Sequence, residues 1–206
     1  WDNYPNDDDP AGLVAMRHEL MRGLKQGMPF SLMEQTPSVS NWRLENGLKR
    51  PGVLRLQSYQ ALAHGADTIM VFHMRRSPGS CEKFHGAVID HAGTDNTRVF
   101  RECAAIGHEL QTMGNRILGT RTVAKAALIF DWDNWWALEC SAGPNNRLSY
   151  PEEFFKYYQA LHEANIPADI IGPEDDFGKY SLILAPVLYM IKQGVDERLK
   201  KYVADG

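Results

Sequence analysis

A glutamate stands directly after a short apolar run in the segment Phe30-Ser31-Leu32-Met33-Glu34-Gln35-Thr36-Pro37. A carboxylate ending a buried strand is costly to desolvate, so it either does chemistry or is held by a nearby cation such as Arg43, Arg55 or Arg75. In an α/β barrel that position is the catalytic face. A second polar cluster follows the next apolar run: Phe72-His73-Met74-Arg75-Arg76-Ser77, then Cys81-Glu82-Lys83-Phe84-His85-Gly86. Glu82 and His85 stand three apart near glycines that let backbone approach a ligand, although an exposed loop with a chance Glu and His reads the same way. Trp1, Tyr4, Trp42, Phe72 and Phe84 fall near the same strand ends. Carboxylates in aromatic company suit a pyranose ring, whose C–H faces are apolar and whose hydroxyls need fixed hydrogen-bond partners.

Other chemistries lack their residues. His64, His73, His85 and His91 with Glu82 make no H-E-x-x-H or comparable ligand spacing, so no protein-bound catalytic metal is expected. Cys81, Cys103 and Cys140 form no CxxC pair, and none sits beside a histidine at a helix start. Their odd number gives no disulfide framework and favours a reduced, cytoplasmic setting. No G-x-S-x-G, P-loop or G-x-G-x-x-G motif occurs.

The elements that must carry these residues follow a helix-then-strand order. Residues 11–23 have helical spacing at Leu13, Met16, Leu20 and Leu24, and a short strand is expected over 30–33. A helix over 55–64 ends at Gly65, and 68–72 reads as a buried strand. A long helix spans 97–113, and residues 114–122 read as a linker. Beyond it come a strand at 123–130, an amphipathic helix at 151–164 with proline at its start, strands at 168–171 and 182–186, and a helix at 196–204. The pattern is α/β, compatible with a barrel or a doubly wound sheet. Trp132, Trp135 and Trp136 fit a core, a carbohydrate platform or an interface anchor.

The 206 residues carry 22 Lys and Arg against 26 Asp and Glu, a formal charge of -4, with 44% hydrophobic and 23% charged residues. Such a balance excludes disordered and collagenous classes and offers no basic face for nucleic acid. No apolar stretch approaches the roughly 20 residues of a membrane helix. Asp7-Asp8-Asp9 reads as a solvated loop rather than a metal site. The opening at Trp1 without a methionine, and the abrupt end at Gly206, lead us to expect a fragment of a longer polypeptide.

Taken together, Met33-Glu34-Gln35-Thr36-Pro37-Ser38, Asn41-Trp42, Lys49-Arg50-Pro51-Gly52, His64-Gly65-Ala66-Asp67 and Glu82-Lys83-Phe84-His85-Gly86-Ala87-Val88 closely resemble the β-galactosidases of glycoside hydrolase family 42. Residues 128–206, including Phe130-Asp131-Trp132-Asp133-Asn134-Trp135-Trp136-Ala137-Leu138-Glu139, resemble that family's trimerisation domain.

The resemblance implies the C-terminal portion of a (β/α)8 TIM barrel over residues 1–118, then an incomplete, flavodoxin-like doubly wound α/β trimerisation domain over 119–206. It implies a retaining β-galactosidase acting by double displacement, with Glu34 as nucleophile. Trp42, Phe72, Glu82 and His85 match galactose-binding positions, and Tyr4, from an earlier strand end, is expected to orient the nucleophile as a donor does in related barrel glycosidases. A nucleophile must stay ionised, which calls for such a donor nearby. The family's acid/base Glu has no counterpart here. Glu45, Asp67 and Asp90 read as surface or capping residues, so this piece alone is expected to be inactive. The structural zinc of some members belongs to a missing upstream part, leaving no cofactor in this chain. Homotrimers are implied for the parent. The alternatives are an α-L-arabinopyranosidase of the same family and a non-catalytic α/β oligomerisation module.

Overall fold

The computed structural model describes residues 1–6, 8–143 and 145–206, in two compact units. One comprises Trp1–Asp9 and Met28–Arg121, the other Pro10–Gly27 and Thr122–Gly206. The chain order of the units is therefore interleaved. Of the acidic run, Asp7 lies outside the described residues, while Asp9 accepts hydrogen bonds from Asn6.

In the first unit β1 (Phe30–Leu32) and β2 (Ala66–Ile69) pair in parallel, joined by α2 (Val53–Ala63). Leu32, Ala61 and Ala66 form its core cluster, with Trp1, Phe30 and Ile69 packed against it. The strand expected at 68–72 begins and ends earlier than its apolar residues do. Extended pairing nevertheless continues beyond β2, since Met70 N donates to Leu32 O at 2.9 Å and Phe72 N to Gln35 O at 3.0 Å. The N-terminal segment lies along the other side of β1: Met33 N donates to Trp1 O and Asn3 N to Glu34 O, both at 2.9 Å. These two ladders bring residues 1–4, 34 and 72 to one end of the same parallel segments. α3 (Arg98–Met113) starts where Thr97 accepts from Phe100 N, a side-chain N-cap. It joins α2 through Arg55 and Tyr59, both bonded to Glu109.

The second unit has a parallel sheet in the order β4 (Ala168–Ile171), β3 (Ala126–Ile129), β5 (Leu182–Leu184). β3 is central and buried at every residue, as a parallel strand covered on both faces should be. Its alternating side chains feed two cores. Ala126 and Leu128 join Phe130, Tyr150, Phe154, Tyr158, Leu161 and Ile170, whereas Ala127 and Ile129 join Ile171, Phe177 and Tyr180. α5 (Tyr150–Glu163) follows helix rules closely: Pro151 opens it, Glu152 and Glu153 occupy the first turn, and Tyr150, Phe154, Tyr158 and Leu161 make one buried stripe. α6 (Val195–Asp205) sends Leu199 and Tyr202 to the other core.

Two elements differ from the sequence expectation. α4 (Trp132–Cys140) is a helix started by Asp131, whose carboxylate accepts from Asp133 N. Within it Trp135 packs on the core, while Trp132 and Trp136 face outward. α1 (Ala11–Gly23) forms where expected but buries a different face. Val14, Ala15, Met16, His18, Glu19 and Arg22 are buried, whereas Leu24 is exposed. The reason is polar: Arg22 pairs with Glu19 and with Asp169 of β4 at 2.7 Å. Tyr180 also donates to Asp169 at 2.8 Å. A charged face can be buried when its charges are mutually satisfied.

Among the described residues no helix is long and apolar enough to cross a membrane.

Candidate active site

All six residues marked by the sequence lie in the first unit. Glu34 follows β1, and its backbone pairs with Asp2 and Asn3. Its side-chain partner is Tyr4, whose hydroxyl donates to Oε2 at 2.8 Å. Two of the arginines named as partners, Arg43 and Arg55, go elsewhere. Arg43 donates to the carbonyls of Tyr4 and Pro5 at 2.8 and 3.0 Å, and Arg55 pairs with Glu109. Arg43 thus holds the strand end that carries Tyr4. Burial, the hydrogen bond to Glu34 and the nearby charges of Glu34, Asp2 and Glu82 push the Tyr4 phenol far above its ordinary range. It therefore remains a donor toward Glu34 at any ordinary pH.

Around this pair stand aromatic faces centred on His85. The Trp42 ring is stacked on His85 with centroids 5.1 Å apart, and Tyr4 meets Trp42 edge-on at 4.8 Å. Phe72 meets His85 edge-on at 5.0 Å and stacks on His73 at 4.6 Å across a cis peptide. Trp42 is 56% exposed while His85 is 0% exposed, so one presents a face and the other backs it. His85 Nε2 lies 3.1 Å from the Phe72 carbonyl, which can only accept, so this nitrogen carries a hydrogen. Nδ1 lies 3.2 Å from Asn41 Oδ1 and 3.7 Å from Glu82 Oε2. Burial draws the imidazole below its ordinary pKa, with the Glu82 carboxylate and the Phe72 carbonyl opposing that shift.

Glu82 and His85 are joined by one turn, His85 N donating to Glu82 O at 3.1 Å, and their side chains approach to 3.7 Å. The turn is fastened by side chains that spacing did not mark. Asn41 Nδ2 donates to Cys81 O at 2.6 Å, which leaves its Oδ1 toward His85. Arg76 donates to the carbonyls of Phe84 and His85 at 2.9 and 2.8 Å and pairs with Asp90. Asp90, read from the sequence as a surface or capping residue, is half-exposed and pairs with the arginine that holds this turn. Gly86 N donates to Val39 O at 2.7 Å. A Cβ there would meet Val39 N at 2.6 Å and Thr36 Oγ1 at 2.8 Å, so only glycine fits. Nothing in residue spacing announces this fastening by Asn41 and Arg76, because it runs to the backbone carbonyls of Cys81, Phe84 and His85.

Among the described residues no cluster of three or more His, Cys, Asp or Glu is arranged to hold a metal ion. A carboxylate with a tyrosine donor, bordered by an exposed indole, a phenyl ring and a second carboxylate, has the chemistry to seat a sugar ring and attack it.

Comparison with known proteins agrees with this class. Residues 1–113 match the family model described as β-galactosidase of glycoside hydrolase family 42, and residues 124–206 match the β-galactosidase trimerisation domain. The β-galactosidase BgaA of Planococcus sp. (strain 'SOS Orange') is 54% identical over 206 residues, covering 100% of this chain and 30% of its own length. The crystal structure of β-galactosidase from Bacillus circulans sp. alkalophilus superposes with a TM-score of 0.98 at 58% identity, over 100% of this chain and 30% of that one. For β-galactosidase from Rahnella sp. R3 the TM-score is 0.96 at 46% identity, over 100% and 31%. The chain belongs to the glycoside hydrolase family 42 β-galactosidases, and it spans about a third of the length of the relatives it matches.

Proposed function

We propose that the polypeptide carrying this chain is a retaining β-galactosidase that hydrolyses terminal non-reducing β-D-galactosides, with Glu34 as its nucleophile. The observation that carries the reading is the Tyr4–Glu34 hydrogen bond of 2.8 Å beside Trp42, Phe72, Glu82 and His85. In the first step Glu34 attacks the anomeric carbon while a carboxylic acid supplied by another part of the polypeptide protonates the departing oxygen. Water then releases the sugar as that second group takes a proton back. Tyr4 holds the Glu34 carboxylate in one orientation without itself ionising. Trp42 and Phe72 offer apolar contact to the ring, and Glu82 accepts from its hydroxyls, with His85 backing both Trp42 and Glu82. Since the acid/base group lies outside this chain, residues 1–206 alone are inactive in this reading.

The same reading makes the first unit the C-terminal portion of a (β/α)8 barrel, with the parallel β1-α2-β2 unit as two of its strands. It makes the second a flavodoxin-like doubly wound domain. The match of residues 124–206 to a trimerisation domain supports self-association, and we extend it to a homotrimer of the full polypeptide. No cofactor is required by this chemistry, and we place the enzyme in the cytoplasm on its unpaired cysteines.

Incubating the full-length polypeptide with an activated 2-deoxy-2-fluoro-β-galactoside tests the reading. Covalent label on the peptide containing Glu34 is the expected result. Label on another carboxylate, or hydrolysis retained by Glu34→Gln, overturns it.

A further inference from the structure

The turn that carries Glu82 and His85 belongs to no helix or strand, yet His85 is completely buried and the site depends on its place. Its chain direction is set instead by a guanidinium. Arg76 Nε donates to His85 O at 2.8 Å, Nη2 to Phe84 O at 2.9 Å and Nη1 to Asp90 Oδ1 at 2.8 Å. All three nitrogens are engaged, two with consecutive carbonyls and one with a carboxylate. The Arg76 side chain is 17% exposed, and its bonds to the His85 carbonyl and to Asp90 are partly shielded from water, while the one to Phe84 O lies at the surface. Asp90 in turn accepts from His91 N at 2.6 Å. Burial raises the Asp90 pKa, but the bonds from His91 and Arg76 outweigh it and hold the carboxyl below its usual range.

We propose that Arg76 is a positioning residue for sugar recognition, fixing the Glu82–His85 turn by its bonds to the Phe84 and His85 carbonyls; this rests on the galactosidase reading above. The path is short. The His85 backbone carries the ring on which Trp42 stacks, and its N–H closes the turn onto Glu82. Shifting the His85 carbonyl therefore moves the support of an aromatic platform and a hydroxyl-binding carboxylate together. Tyr4 and Glu34 are paired through a separate backbone ladder, Asn3 N to Glu34 O, that Arg76 does not touch. Arg76 thus serves recognition of the ring rather than attack upon it. A lysine cannot replace it, since one ammonium on a flexible stem does not meet three acceptors in a planar fork.

Steady-state kinetics of the full-length polypeptide on a nitrophenyl β-galactoside and the matching β-glucoside test this, comparing wild type with Arg76→Met, Arg76→Lys and Asp90→Asn. Arg76→Met is expected to raise KM for the galactoside about tenfold or more with kcat changed less than about threefold, the signature of lost binding shared by ground and transition states. Preference for galactoside over glucoside falls with it. Arg76→Lys recovers little of either. Asp90→Asn removes only the charge that anchors the guanidinium, and it shifts KM in the same direction by less. Should Arg76→Met fail to fold, Asp90→Asn decides. KM and preference unchanged in the variants that fold, or a fall confined to kcat, overturns the proposal. Wild type without activity on galactosides instead removes the reading on which it stands.

Discussion

Tyr4 and Glu34 are neighbours by virtue of backbone pairing: the ladder from Met33 N to Trp1 O and from Asn3 N to Glu34 O ends where the phenol reaches the carboxylate at 2.8 Å. The bond is therefore built by the sheet rather than found by side-chain search. Phenylalanine at position 4 keeps the edge contact to Trp42 and deletes only the donor. In the full-length polypeptide, Tyr4→Phe is expected to lower kcat on a nitrophenyl galactoside by about 10²- to 10³-fold, the effect of removing one preorganised donor. Its folding stability should change by no more than about 1.5 kcal/mol. A kcat within about threefold of wild type would show that the hydroxyl has no part in the reaction.

Gly86 follows His85 with its backbone pressed against the segment 36–39. A methyl group there meets Ser38 Oγ, Val39 N and Thr36 Oγ1, and the Val39 nitrogen cannot rotate aside. Gly86→Ala is expected to cost about 1–3 kcal/mol in a urea titration, as overpacking does. It should also weaken galactose binding, because the displaced backbone includes the Gly86 N to Val39 O bond that closes the site. Undiminished stability and affinity would mean that this close approach relaxes without consequence.

The second unit has its own sensitive contact at α1. A Cβ on Gly23 would strike the Ile170 carbonyl of β4, and Arg22 beside it bridges Glu19 and Asp169. Arg22→Met takes away the cation between two carboxylates, one of them almost fully buried. Removing one partner of a buried ion pair costs about 3–5 kcal/mol, and that loss is expected in denaturant unfolding of the chain. Arg22→Lys should recover part of it, whereas a loss below about 1 kcal/mol would place the charges in an effectively aqueous setting.

Which parts of this were legible in the sequence depended on the kind of partner involved. α5 could be read because Tyr150, Phe154, Tyr158 and Leu161 bury apolar surface at helical spacing behind a proline start. β3 could be read because an all-buried strand is a continuous apolar run, and β4 because its apolar residues are interrupted only by Asp169. The buried face of α1 could not, since Glu19 and Arg22 look like solvent residues until Asp169, far away in sequence, is placed beside them. α4 was hidden because its tryptophans read as a motif, although Asp131 followed by Asp133 is a helix-start signal. At the site, Glu34, Trp42, Phe72, Glu82, His85 and Tyr4 were marked by chemistry and family likeness. Tyr4, named from family likeness as a donor, does stand beside Glu34, whereas Arg43 and Arg55 do not, and the fastenings by Asn41 and Arg76 run to carbonyls that every residue possesses.

His85 gives the candidate site a dependence on pH whose sign follows from its burial. Its folded pKa is lowered, by burial first, so the native state favours the neutral ring more than the unfolded chain does. Above the ordinary imidazole value of about 6.5 both states are neutral and the group contributes no slope. Below it the unfolded chain takes up a proton sooner, and stability falls as the pH is lowered. Between about pH 7 and about pH 5 the melting temperature of wild type should therefore drop more steeply than that of His85→Gln, whose amide can still donate to the Phe72 carbonyl. Glu82, Glu34 and His73 bear on the same ring, and they remain in place in the variant, so the difference between the two slopes isolates His85. Parallel slopes would show that the ring titrates no differently in the folded site than in the unfolded chain.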